Sequence, residues 1–437
     1  MKNSIKLILI GVVLLVPYLG ISNAQSSKLE QKANAAADKI EQKVIEWRHH
    51  IHQNPELGNR EFETAKMIAK HLKSLGMEVQ EGVAHTGVVG LLKGGKPGPV
   101  VALRADIDAL PVTERTDIPF ASKVTTEYNG AQTGVMHACG HDTHVAILMG
   151  VAEVLAEMKK DLKGSVKFIF QPAEEGPPAG EEGGAELMVK EGVLVNPKVD
   201  AIFGLHINSQ TEIGKIAYRS GGIMAAVSDF KITVKGKSSH GAAPWNSVDP
   251  IVISAQIINS LQTIVSRNIQ LTENPAVVTI GAIHGGNRSN IIPEEVEMLG
   301  TLRTLKKEDQ DLSYKRIKMI AENTAKAMGG TAIVEIPYSA SYPVTFNDPE
   351  LTKKMASSLE KVVGKENLII INPITGAEDF SFFQENVPGL YFFVGGMPKG
   401  QDEKTAAPHH TPEFFIDDSG MIYGVKAFTT LVLDYLN

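Results

Sequence analysis

The chain has 437 residues, 43% of them hydrophobic and 21% charged, with a formal net charge of −7. That balance excludes a disordered, collagenous or multi-span membrane protein, and acidity without a basic cluster argues against nucleic acid as a partner. The length exceeds one typical core, so two domains are expected.

In chain order, Lys2 and Lys6 precede an apolar run from Leu7 to Ile21, broken by Pro17 and Gly20, and then Ser22-Asn23-Ala24. The run is about 15 residues where a membrane span needs about 20, so the expectation is a signal peptide over 1–24 and export to the periplasm or beyond. Loss of Lys2 and Lys6 would take the net charge from −7 to −9. Cys139 is the single cysteine, so no intramolecular disulfide can form.

Apolar spacing of three and four predicts helices over 33–47 and 61–75. A β-branched run predicts a strand over 99–105. A helix over 143–159 follows, then strands over 165–170 and 201–205. Strand-helix-strand order implies a parallel sheet covered by helices on both faces. Near Ser220 the pattern changes. Strands over 227–234, 276–284, 295–303 and 331–336, with helices over 249–265 and 307–328, give β-α-β-β-α-β, the ferredoxin-like order. This predicts an inserted domain over 219–338. A strand over 390–394 and a helix over 418–436 then return the chain to the first domain, which spans 25–218 and 339–437.

Four short motifs carry chemistry: Cys139-Gly140-His141, Glu174-Glu175, His206 and His410. Each is expected in a loop or at a strand end on the carboxyl side of the first sheet, where open α/β sheets bind ligands. Thiolate, imidazole and carboxylate together suit zinc, or manganese or cobalt if oxygen dominates. Taken singly, Cys139 reads equally as an inert buried thiol, the glutamates as a solvated pair and His206 as a core histidine. His144, one turn beyond His141, reads as a supporting residue rather than a ligand. The combination points to a metal centre.

The chain resembles the M20 metallopeptidase family, in the amidohydrolase branch that holds hippurate and auxin-conjugate hydrolases. The matching stretches are RADIDALPV (104–112), MHACGHDTHVAILMG (136–150), FQPAEEG (170–176), FGLH (203–206), SSHGAAPWNSVDPI (238–251), GGNRSNIIPEEVEMLGTLRT (285–304), GAEDFSFF (376–383) and HHTPEF (409–414). The resemblance implies a zinc-peptidase-like α/β catalytic domain with an inserted ferredoxin-like dimerisation or lid domain, and a homodimer. It implies two divalent ions per subunit held by Cys139, His141, Glu175, His206 and His410, with Glu174 as general base. His410 is preferred to His409 because it directly precedes the Thr-Pro of the motif. His240, Asn290 and Arg303 match substrate-contacting positions, His240 also as an oxyanion donor. The implied reaction is hydrolysis of N-acyl amino acids or similar small amides. Peptidases of the wider family carry His-x-Asp where this chain has Arg104-Ala105-Asp106, and Asp where it has Cys139. That departure speaks against the first alternative, a dipeptide-cleaving exopeptidase. Retention of Glu174 speaks against the second, a non-catalytic carrier of metal or small ligand, and Arg303 retains the alternative of a surface ion pair.

Overall fold

The computed structural model describes residues 16–339 and 341–437, with side chains described from residue 28 onward. Most of the expected leader, residues 1–15 of 1–24, lies outside the described residues. Among the described residues no helix is long and apolar enough to cross a membrane.

The first sheet has eight strands. In spatial order they are Glu78–Val83, Gly87–Lys93, Lys163–Gln171, Lys96–Asp106, Ala201–Glu212, Gly389–Met397, Ile216–Tyr218 and Leu368–Ile370. The four central strands, from Lys163–Gln171 to Gly389–Met397, run parallel. Antiparallel pairs flank them, so the sheet is mixed rather than wholly parallel. Successive residues of a strand face opposite sides, and the sequence respects this. Leu103, Phe168, Phe203 and Phe392 join one apolar core with helices Val16–Gln53, His141–Glu157 and Met421–Leu436. Their neighbours Ala102, Ile169, Ile202 and Tyr391 join a second core with Ala185, Met188, Phe380 and Phe383. Both faces are buried, which is why these strands read as near-continuous apolar runs.

The second sheet is built from Ala226–Lys235, Ala276–His284, Glu295–Thr304 and Thr331–Glu335, with Ser341–Tyr342 paired beside the first of these. The order is second, third, first, fourth, all antiparallel, which is the ferredoxin-like arrangement. Helices Pro250–Asn268 and Lys307–Ala327 cover one face through Ile253, Ile257, Leu261, Ile317 and Ala321.

One buried clamp fixes the helix that carries His141. Asp142, in its first turn, accepts from Arg48 Nε at 2.9 Å and lies 2.9 Å from His52 Nδ1. Arg48 also donates to Asp418 at 2.8 Å. The amino-terminal helix is thereby tied to the floor of the site, with an acid at the helix end whose dipole favours it.

Two expectations need adjustment. The strand expected to end near His206 continues to Glu212, so His206 lies within it. It stands beyond Gly204, the last residue paired with Lys96–Asp106, where the strand pairs only with Gly389–Met397. The region expected as helix over 418–436 opens with a 3-10 turn, Asp418–Gly420, before the helix proper.

Candidate metal centre

Cys139 and His141 flank Gly140, whose φ of +94° places it in the left-handed region. A Cβ there would stand 2.4 Å from Ile207 Cγ2, so only glycine permits this turn. The turn aims both donors at one place. Cys139 Sγ lies 3.4 Å from His206 Nε2 and 3.3 Å from His410 Nε2. His410 Nε2 is 3.0 Å from Glu175 Oε1, and His141 Nε2 is 3.9 Å from the same oxygen and 3.8 Å from Glu174 Oε2. The structure therefore gathers all five expected ligands and Glu174 around one point. They fall into overlapping groups: Cys139 with His141 and His206, and Cys139 with Glu175 and His410.

Supporting residues orient the donors. Asp108 meets His141 Nδ1 through its backbone oxygen at 2.9 Å and Oδ1 at 3.1 Å. Its Oδ2 accepts from the Glu175 backbone N–H at 3.0 Å. His206 Nδ1 pairs with the Ile207 carbonyl at 2.5 Å. With both Nδ1 atoms engaged as donors, each Nε2 keeps its lone pair facing the site. His144 is different. Its Nδ1 meets Asp106 Oδ1 at 2.5 Å and its Nε2 accepts from the Ile207 N–H at 2.8 Å, so it supports and does not ligate. His409 is likewise occupied, pairing with Cys139 O at 3.1 Å and accepting from Ser209 N–H at 3.2 Å. His410 sits at a φ of +64°, an uncommon conformation for histidine, and its side chain stays exposed while its Nε2 meets Glu175 and Cys139.

The donor set fits a divalent cation. His141 Nε2 is buried with no hydrogen-bond partner, although buried polar atoms almost always have one. Burial disfavours charge on His141, yet Asp106 and Asp108 outweigh it and push the imidazole up to about 10. Burial, followed by Glu175, Glu174 and Asp106, pushes the Cys139 thiol well above its usual range. Burial, then Glu378 and Glu175, raises Glu174 as well. Besides burial, the three shifts share one cause: neighbouring carboxylates concentrate negative charge where these donors converge. A divalent cation offsets that charge and reverses the shift on the thiol.

Beneath the donors lies a charge network the sequence reading assigned no role. Arg104 is fully buried and donates to Gln171 Oε1 and Asp106 Oδ2 at 2.7 Å, Glu378 Oε1 at 2.9 Å and Asp379 Oδ1 at 3.0 Å. Tyr391 OH donates to Glu378 Oε2 at 2.5 Å. The RADID and GAEDF stretches were visible as motifs. No local pattern says that residues 274 positions apart share an ion pair.

The site opens into a cavity of 330 Å³, whose lining includes Glu174, Asn208, Met224, Tyr342, Ile374, Gly376 and Phe393. Four expected residues are not in that lining: His141, which is buried behind it, and His240, Asn290 and Arg303. His240 and Asn290 are exposed on a short ribbon, Ser239–His240 paired with Ile291–Ile292, where Gly241 N–H donates to Asn290 O at 2.8 Å. Arg303 is half-buried on the second sheet and donates to Thr301 Oγ1 at 2.5 Å and Leu302 O at 3.2 Å. Among the described residues no carboxylate pairs with it within 4.0 Å, although Asp229 acts on it from farther away.

A family model for peptidase family M20/M25/M40 matches residues 102–434. Thermostable carboxypeptidase 2 of Saccharolobus solfataricus is 42% identical, over 94% of this chain and 99% of its own length. N-acetyl-L-cysteine deacetylase of Bacillus subtilis is 37% identical, over 93% and 91%. The crystal structure of a dinuclear metal-binding M20 peptidase from Bacillus subtilis matches with a TM-score of 0.75 and 34% identity, covering 91% of this chain and 99% of that one. The chain belongs to peptidase family M20/M25/M40, and with it to the metal-dependent hydrolases that cleave amide bonds.

Proposed function

We propose that the protein hydrolyses N-acyl amino acids, releasing a carboxylic acid and an amino acid. The observation that carries this reading is the convergence of Cys139, His141, Glu175, His206 and His410 on one point, with Glu174 beside them. These five would hold two divalent ions, zinc, manganese or cobalt. Bound there, the ions supply water activation and polarisation of the amide carbonyl. Glu174 accepts the proton of the attacking water and delivers it to the leaving amine. Arg303, whose nearest influence from a carboxylate is Asp229 at longer range than an ion pair, suits the α-carboxylate of the released amino acid.

The 42% identity to a carboxypeptidase favours a second reading in which the acyl half is itself a peptide. The two readings separate in a hydrolysis screen over N-acetyl, N-benzoyl and indole-acyl amino acids, with free dipeptides as controls. Turnover of the N-acyl compounds alone is expected. Cleavage of free dipeptides alone contradicts the proposal.

The protein acts as a homodimer in which His240 of one subunit completes the site of the other as an oxyanion donor. This accounts for a histidine that lies outside its own subunit's cavity lining. Mixing Glu174→Gln and His240→Ala protein under subunit exchange is expected to raise activity well above either parent. Proven hybrid dimers without recovery would remove His240 from that role. The leader over 1–24 directs export, and mass spectrometry of the mature protein is expected to find Gln25 at its start.

A further inference from the structure

The cavity is polar where the ligands stand and apolar elsewhere, and its apolar wall has a defined construction. Met224 and Ile374 are joined by a parallel bridge, with Ile374 N–H donating to Ile223 O at 3.0 Å and Ala225 N–H to Ile374 O at 3.1 Å. A Cβ added to Gly376 would stand 3.4 Å from Met224 Cε and 3.8 Å from Ile374 Cδ1. The two side chains therefore lean together over a position that carries no side chain of its own. Phe393 adds an aromatic surface whose ring lies 6.2 Å from that of His206.

A substrate of the proposed class has two unlike halves, an acyl group and a carboxylate-bearing amino acid. The cavity lining contains Glu174, Glu175 and Glu378 and neither lysine nor arginine. Beyond the ions, which the scissile amide engages, the lining offers a carboxylate no lysine or arginine to pair with, whereas Met224, Ile374 and Phe393 offer a neutral apolar half matching surface. The acyl group thus takes the cavity, and the carboxylate points out of it. The volume is informative as well. At 330 Å³ the cavity is many times the share of one water, about 30 Å³, so an acetyl methyl leaves most of it unfilled.

We propose that Met224, Ile374 and Gly376 form the acyl-group subsite, and that it selects apolar acyl groups of medium size, straight-chain or aromatic, over acetyl. The proposal rests on the N-acyl amino acid reading above. Gly376 is the position that sets the size, since any side chain there projects between Met224 and Ile374. Its φ lies outside the left-handed region, so the backbone accepts a substitution.

The test compares N-acetyl-, N-hexanoyl- and N-benzoyl-alanine as substrates, with calorimetric binding of acetate, hexanoate and benzoate measured beside them. In the native metal-loaded protein, kcat/KM is expected to rise at least about tenfold from acetyl to hexanoyl. In Gly376→Val that ratio is expected to fall at least about tenfold, through KM, with metal content unchanged. Hexanoate and benzoate are expected to bind more weakly to the variant in the same proportion relative to acetate. Equal losses on all three acyl groups, or an unaltered ratio, would overturn the proposal. If Gly376→Val fails to fold, Ile374→Ala replaces it, because Ile374 is 40% exposed and its loss spares the core. That variant is expected to weaken hexanoate relative to acetate, and an unchanged preference overturns the assignment. Should the native protein cleave none of the three amides, the reaction reading fails. The acid-binding comparison still decides the subsite.

Discussion

Glu174→Gln is expected to lower turnover by at least about a hundredfold while metal content stays at the native level. Glutamine keeps the size and hydrogen-bonding capacity of the side chain but cannot accept a proton. The backbone that holds this position does not depend on the carboxylate. The Ala173 N–H donates to Glu61 Oε1 at 2.9 Å, Tyr342 OH donates to Glu174 O at 3.1 Å, and the Glu175 N–H donates to Asp108. The loss should therefore fall on kcat rather than on KM or folding. A variant with near-native turnover removes Glu174 from the reaction, and one that loses its metal marks it as a ligand instead.

Arg104→Met is expected to destabilise the protein by about 3–5 kcal/mol, measured by chemical denaturation of the metal-depleted forms. Arg104 is the shared cation of Asp106, Glu378 and Asp379, and all four side chains are essentially inaccessible. Methionine fills similar volume but leaves the buried Glu378 and Asp379 without a cation, while Asp106 keeps His144 and His141. The charge on Glu378 and Asp379 is then relieved chiefly by protonation. The deficit against native protein should accordingly be largest near neutral pH and narrow as pH falls, because protonation removes the repulsion that the variant cannot balance. A cost below about 1 kcal/mol would mean that the network relaxes or hydrates, and that Arg104 does not hold the floor of the site.

The same arginine shows where sequence reading succeeded and where it stopped. Cys139, His141, Glu174, Glu175, His206 and His410, which the structure brings together, could be named in advance because they form four short motifs that match stretches of a known family, most of them beside an apolar strand or helix whose period is legible. The second sheet was equally legible, since Ala226–Lys235 alternates cleanly and its helices keep one apolar face. Arg104 was visible only as a departure from a histidine. Its inward-facing guanidinium explains that departure, because a cation at this position neutralises the carboxylates below the ligands instead of adding a ligand. Asp108, Tyr342, Met224 and Ile374 were not identified. Their roles arise from contacts between distant segments, and no local spacing encodes such contacts. The end of the strand at His206 was misplaced for a related reason. Residues 207–212 lose their apolar pattern where the sheet narrows, yet the pairing with Gly389–Met397 carries the strand onward.

Under the proposed function, Cys139 belongs to a metal centre on which hydrolysis depends. Cobalt titration of the metal-depleted protein tests it most directly, because cobalt bound to a thiolate absorbs in the near ultraviolet while cobalt bound only to nitrogen and oxygen does not. Depletion is expected to abolish hydrolysis, cobalt to restore it together with the thiolate band, and Cys139→Ser to lack the band. Full hydrolysis by metal-depleted protein, or restored activity with no thiolate band, would contradict it.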